Sequence, residues 1–239
     1  MKQEPYNGAG NSLPTKKFIL DSSSIITISD NCFIKVLKHL AQKENITFII
    51  PESVYKESVL TPLNIKRFEL SAIRIQDAVT DGYIQVAKTT ESVKGKMQRI
   101  EAITDRLCSF EGSPLRVVHR GETETLALLK ELGAQMLVID ERTTRMLIEE
   151  PSNIIRFLQK KYPGINVNKQ AINEFRNEYG DIKVCRSVEL IALAHENGTL
   201  EREIHKSNRS LEACLYAAKF AGCAVSFDEI SKYMKRVKQ

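Results

Sequence analysis

Five carboxylates are the residues of this chain best suited to chemistry: Asp21, Glu57, Glu122, Glu124 and Asp140. Asp21 follows the apolar run Lys17-Phe18-Ile19-Leu20, and Asp140 ends the run Met136-Leu137-Val138-Ile139. Glu57 falls one turn into a helix expected after Ile46–Ile50, and Glu122 and Glu124 open another. Hard divalent cations such as Mg²⁺ take oxygen ligands, often one or two carboxylates with waters and a substrate phosphate. Three or four acids can therefore hold one or two ions, which activate water and neutralise charge growing on a phosphodiester. Without a cation the acids repel one another and any polyanion. Taken singly, each has an ordinary explanation: a turn or cap at Asp21, a solvated helix face at Glu57, helix-dipole complements at Glu122 and Glu124, a local ion pair between Asp140 and Arg142.

Competing chemistries lack their residues. There is no GxGxxG after the first strand and no GxxxxGK[ST], so no nucleotide cofactor is expected, and no GxSxG supplies a serine nucleophile. The five cysteines are scattered without a CxxC pair, and the four histidines show no HxxxH or HExxH spacing, which argues against a Cys/His zinc site. With 42% hydrophobic residues, 11 Gly and 7 Pro, the chain is neither disordered nor collagen-like. No apolar run approaches the ~18 residues of a membrane span, and the polar start is unlike a signal peptide; no membrane association and a cytoplasmic location are expected.

The elements that must position these acids alternate. Strands are expected at 17–20, 46–50, 83–87, 136–140 and 182–185. Helices are expected at about 30–43, 51–59 with Pro51 in the first turn, 62–81, 91–110 and 121–132, the last stopped by Gly133. Further helices follow at 142–149, 151–161, 169–180, 187–197 and 208–221, and from the capping-box pattern Ser226–Glu229 onward. Short apolar strands alternating with helices predict an α/β fold: a three-layer α/β/α sandwich around a parallel sheet of about five strands. In such sheets ligands sit beyond the carboxyl ends of the strands, where Asp21 and Asp140 fall. Residues 1–14 are expected to be a flexible tail, and 15–239 one domain with helical insertions at about 89–116 and 151–181.

The net charge of +5 is unevenly placed. Residues 121–150 hold seven acids and three bases, a local −4, which leaves +9 on the remainder. A basic body around an acidic patch suits a metal-dependent enzyme acting on a polyanion, although solvated helix faces would produce the same pattern.

Four stretches taken in order carry a resemblance. Phe18-Ile-Leu-Asp21-Ser22-Ser23, Ile50-Pro-Glu-Ser-Val54-Tyr-Lys-Glu57, His119-Arg-Gly-Glu122-Thr-Glu124-Thr-Leu-Ala-Leu and Leu137-Val-Ile-Asp140-Glu-Arg142 look like the successive motifs of PIN-domain proteins. Val184–Met234 also resembles the C-terminal helices of one prokaryotic branch of that family. The resemblance implies strand order 3-2-1-4-5 and an Mg²⁺- or Mn²⁺-dependent endoribonuclease acting on single-stranded RNA, with a homodimer as an option. It assigns Asp21, Glu57, Glu124 and Asp140 as the catalytic acids, with Asp21, Glu124 and Asp140 as metal ligands. Ser22 and Arg142 would support them. Thr143 and Thr144 stand where relatives often carry a further acid, and the alternative function is a catalytically weak scaffold that binds RNA or a protein partner. Two positions apart on a helix differ by about 200°, so Glu122 and Glu124 cannot both enter one compact site. Periodicity does not choose between them; the family pattern favours Glu124 and leaves Glu122 as a dipole complement worth ~0.3–1 kcal/mol.

Overall fold

The structure, a computed structural model, describes residues 15–237. The expected tail at 1–14 and the basic Lys238 lie outside the described residues. Strand β1 (Lys16–Leu20) leads to Asp21, which caps helix α1 (Ser22–Asp30). The serine run, expected as a turn, thus opens a helix, because a carboxylate at the cap satisfies a first-turn N–H that would otherwise be orphaned. Helix α2 (Ile34–Glu44) ends at Asn45 in a left-handed conformation and turns into β2 (Ile46–Pro51). Pro51 closes that strand instead of entering the following helix. Helix α3 (Glu52–Tyr55) continues into a π-helical turn (Lys56–Leu60). Then come α4 (Glu69–Thr80), β3 (Ile84–Ala87) and α5 (Glu91–Thr104), the last capped by the Thr90 side chain.

The helix expected over 91–110 stops at Thr104; its last residues form β4 (Cys108–Phe110), paired antiparallel with β5 (Ser113–Pro114). Helix α6 (Arg120–Leu132) ends at Gly133, whose φ of +57° suits glycine. Strand β6 (Met136–Val138), α7 (Arg142–Glu149), α8 (Pro151–Lys161), β7 (Asn166–Val167) and α9 (Lys169–Tyr179) follow. The chain continues through β8 (Val184–Cys185), α10 (Ser187–Glu196), α11 (Asn208–Phe220) and α12 (Phe227–Val237). Among the described residues no helix is long and apolar enough to cross a membrane.

The main sheet is parallel with order β3-β2-β1-β6-β8, the expected 3-2-1-4-5 once only its own strands are counted. Side chains alternate between two cores. Phe18, Leu20, Phe48 and Ile50 join α1, α2, α4 and α10–α12 on one face; Ile19, Ile49, Leu137 and Ile139 join α5–α9 on the other. Both faces are covered, so the strands read as continuous apolar runs instead of polar alternation. A second sheet of order β5-β4-β7 escapes sequence reading because its strands span two or three residues, too few for a periodic signal. The order reverses between β1 and β6, which brings the ends bearing Asp21 and Asp140 side by side.

Phe48 is fully buried and meets Phe18 edge to face at 5.9 Å. Replacing it with alanine is expected to cost about 3–5 kcal/mol in urea unfolding. A loss below about 1 kcal/mol would contradict a close-packed face there.

Candidate active site

The first serines of α1 lock the strand ends together. Asp21 donates its backbone N–H to Val138 O (2.9 Å), so it sits against the end of β6. Its Oδ2 accepts from the Ser23 N–H (3.1 Å) and from Ser23 Oγ (2.8 Å). That same hydroxyl accepts from the backbone N–H groups of Asp140 (3.1 Å) and Glu141 (3.2 Å). One donor and two lone pairs are thereby used in full. Ser24 Oγ lies 2.9 Å from both Asp21 O and Val138 O and clamps the same junction. Of the serines, Ser23 holds the Asp21 carboxylate by its side chain, whereas Ser22, the expected support, contributes a backbone contact. The spacing of a capping aspartate followed two residues later by a hydroxyl was the available signal.

Around Asp21 stand three further acids. Burial, and then repulsion by Glu57, lifts its carboxyl to about 6, against the Ser23 bonds that pull it down. Glu122 is lifted to about 7, first by burial and then by the charges of Asp21 and Glu141. Glu122 Oε2 is buried without a hydrogen-bond partner. Glu57 is exposed, and a Cβ on Gly121 would stand 3.7 Å from its Oε2, so the start of α6 comes close to it. Glu141 caps α7, its two oxygens accepting from the N–H groups of Thr143 (2.6 Å) and Thr144 (2.7 Å).

The structure directs the other expected acids elsewhere. Glu124 is 4% exposed; Oε2 accepts from the Ser53 N–H (3.3 Å) and Oε1 from the Thr89 hydroxyl. Asp140 is fully buried, with Oδ1 accepting from the Ser187 N–H (2.7 Å) and Oδ2 from the Ser187 hydroxyl (2.7 Å). Its charge therefore sits at the N-terminus of α10, where a helix dipole favours an anion. Asp21, Glu124 and Asp140 are each held by different protein donors, and among the described residues they do not form a group able to enclose a metal ion. Of the two α6 acids, Glu122 is the one whose carboxyl feels the charge of Asp21, and it is half-buried instead of a solvated dipole complement. Arg142 lies over the Phe157 ring (5.2 Å), and Arg145 is held by Glu149 (2.9 Å) and Ala224 O (3.2 Å).

Among the described residues no three His, Cys, Asp or Glu side chains form a ready cage for a metal ion. A hard cation does not need one, since one or two carboxylates with waters suffice. The orphaned Glu122 oxygen, two carboxyls raised first by burial and then by neighbouring acids, and an all-oxygen donor set fit such an ion. Alongside Glu57 an open groove of about 980 Å³ runs between α3, α5 and α6, lined among others by Glu57, Glu124, Lys56, Lys94, Arg116 and Arg120. Helix α5, in the segment expected as an insertion, supplies one of its walls.

Crowded carboxyls make the metal-free protein sensitive to pH. As pH rises the unfolded chain ionises first, near 3.8 for Asp21 and 4.5 for Glu122, and the folded form only near 6 and 7. The cluster's destabilisation therefore develops between about pH 4 and pH 7 and is complete above it. Glu122→Gln is expected to raise the melting temperature in EDTA by roughly 3–6 °C at pH 8 and hardly at pH 4; an equal change at both would refute a destabilising buried charge there. Asp140→Ala, by contrast, strands the Ser187 N–H and hydroxyl and should cost at least about 2 kcal/mol at pH 7, read by denaturant unfolding.

A family model described as PIN domain matches residues 17–151, more than half of the chain. Among solved structures, the crystal structure of VapBC2 from Rickettsia felis, bound to a DNA fragment from their promoter, is similar at a TM-score of 0.43 and 11% identity. That likeness covers 71% of this chain and 98% of the other. No curated protein sequence matches. With its order of strands and the acids of its first, third and fourth motifs at the carboxyl ends of the sheet, the chain belongs to the PIN domain family.

Proposed function

We propose that this chain is a cytoplasmic, metal-dependent endoribonuclease that hydrolyses RNA phosphodiester bonds at the Asp21 cluster. The observation that carries the reading is the buried, unpartnered Glu122 Oε2 beside a second buried carboxylate. An unpaired buried charge is costly, and a cation is the partner that removes the cost for both groups. Asp21 and Glu122 would hold Mg²⁺ or Mn²⁺, with Glu57 and Glu141 completing the negative field. When bound, such an ion supplies positive charge against the phosphodiester and lowers the pKa of water.

The remaining roles belong to the chain's own residues. Ser23 orients Asp21 by two hydrogen bonds, which fixes the carboxylate before any ion arrives. Glu57 is the acid open to solvent and can accept a proton from water at the mouth of the cluster. Asp140 is a positioning residue: it anchors α10, and its backbone N–H holds the Ser23 hydroxyl. Glu124 secures the end of α3 and Thr89 at the groove floor.

A second reading, an RNA- or protein-binding scaffold with weak catalysis, is favoured by one observation: Asp140 and Glu124 are already occupied by protein donors. Cleavage of a fluorescent single-stranded RNA separates the two. Wild-type protein is expected to cut with Mn²⁺ and to stop with EDTA. Asp21→Asn and Glu122→Gln should each lower the rate at least about 100-fold while RNA binding persists. Binding without any metal-dependent cleavage, together with no Mn²⁺ binding by calorimetry, would favour the scaffold.

A further inference from the structure

The groove beside the acid cluster offers unequal cations. Lys94 is paired with Glu91 (2.6 Å), and Arg116 lies 3.8 Å from Asp105. Lys56 and Arg120 line the same groove, both are exposed, and neither side chain forms an ion pair or hydrogen bond among the described residues. Their places in the chain put them at the acids. Lys56 directly precedes Glu57, and Arg120 directly precedes Gly121, whose Cβ position stands 3.7 Å from Glu57 Oε2. Two cations without an ion-pair partner among the described residues thus line the groove on residues adjoining Glu57 and Gly121. The carboxylates lining the groove are sorted in the same way: Glu52 accepts from the Thr89 N–H and Glu124 from the Thr89 hydroxyl, whereas Glu57 and Glu101 take no side-chain bond.

We propose that this groove is the track for a single RNA strand, with Lys56 and Arg120 each holding a phosphate next to the one that meets the acid cluster. The proposal rests on the nuclease reading for the identity of the polyanion and adds the residues that bind it. Phosphate contacts by Lys and Arg supply most of the affinity for a nucleic acid without reading its sequence. The geometry favours one strand over a duplex. The groove has walls on both sides, α3 and α5, and Glu124 at its floor is almost wholly buried. A flexible strand can be drawn down between such walls, whereas a duplex holds its phosphates on a stiff cylinder. The volume, about 980 Å³, matches the upper end of the ~300–1,000 Å³ typical of ligand pockets and exceeds what a lone ion needs. Arg142 and Arg145, the arginines that follow Asp140, are engaged with Phe157, Glu149 and Ala224 and leave the phosphates to Lys56 and Arg120.

The test uses the full chain in EDTA, so that binding is read without cleavage. The probe is a fluorescein-labelled single-stranded RNA of about ten nucleotides, within the ~4–16 that single-strand grooves track. Fluorescence anisotropy over a salt series gives affinity and its salt dependence. Lys56→Gln/Arg120→Gln is expected to weaken binding about tenfold at low salt. It should also flatten the slope of log K against log salt by about 1.4, or about 0.7 for each lost contact. Lys35→Gln/Arg209→Gln removes the same charge outside the groove and should leave both quantities near wild type. A DNA strand of the same sequence binding within a few-fold supports phosphate recognition, and a duplex should bind more weakly. The proposal is overturned if the two double variants behave alike, or if the duplex binds as tightly as the strand. Thermal melts of all variants check that each is folded. Failure of the two readings is distinguishable. Groove-dependent binding without Mn²⁺-driven cleavage rejects the nuclease and keeps the track; cleavage with unchanged KM in Lys56→Gln/Arg120→Gln keeps the nuclease and rejects the track.

Discussion

The Ser23 hydroxyl is the point on which the carboxyl end of the sheet depends. It gives its proton to Asp21 and takes the N–H groups of Asp140 and Glu141, so one side chain joins the exits of two adjacent strands. The strand order reverses here, and the backbones of β1 and β6 part company with no further sheet bonds to hold them. A side chain with both donor and acceptor capacity fills that gap. The same bonds aim Asp21 toward the crevice and turn the chain after Asp140 toward α7.

From that junction the acids divide by what satisfies them. Asp140 finds the two polar groups of Ser187 at the start of α10 and becomes part of the framework. Glu124 finds Ser53 and Thr89 across the groove, and Glu141 finds the first N–H groups of α7. Asp21 is only half compensated, and Glu122 retains a buried oxygen with nothing to accept from. Negative charge left over in such a place is what a cation would compensate under the proposed function. Framework acids and site acids thus differ in their partners, although nothing in their residue type distinguishes them.

The groove follows the same logic with the opposite sign. Two of the four cations lining it, Lys94 and Arg116, are spent on neighbouring acids, and such exposed pairs contribute little to stability. Lys56 and Arg120 carry no such pair among the described residues. Helix α5 closes the far wall through its packing on α6 and α9.

The architecture was legible in the residues because burial on both faces forces apolar runs, and those runs are visible without coordinates. Phe18–Leu20, Ile46–Ile50 and Leu137–Ile139 announced a parallel sheet, and capping and glycine signals bounded α6 and α9 closely. Asp21 was legible too, since an acid after a buried strand has few other places to go. Glu122 against Glu124 was not: both flank the same apolar stripe of α6, and periodicity is blind to which flank meets Asp21. The partner of Asp140 was equally hidden, because Ser187 lies 47 residues away and reaches it only through the pairing of β6 with β8. Sequence alone determined which residues are apolar, where strands end and which acids stand at those ends. Tertiary structure alone decided which acids are satisfied by the protein and which are not, because hydrogen-bond partners and burial are set by contacts between segments far apart in the chain.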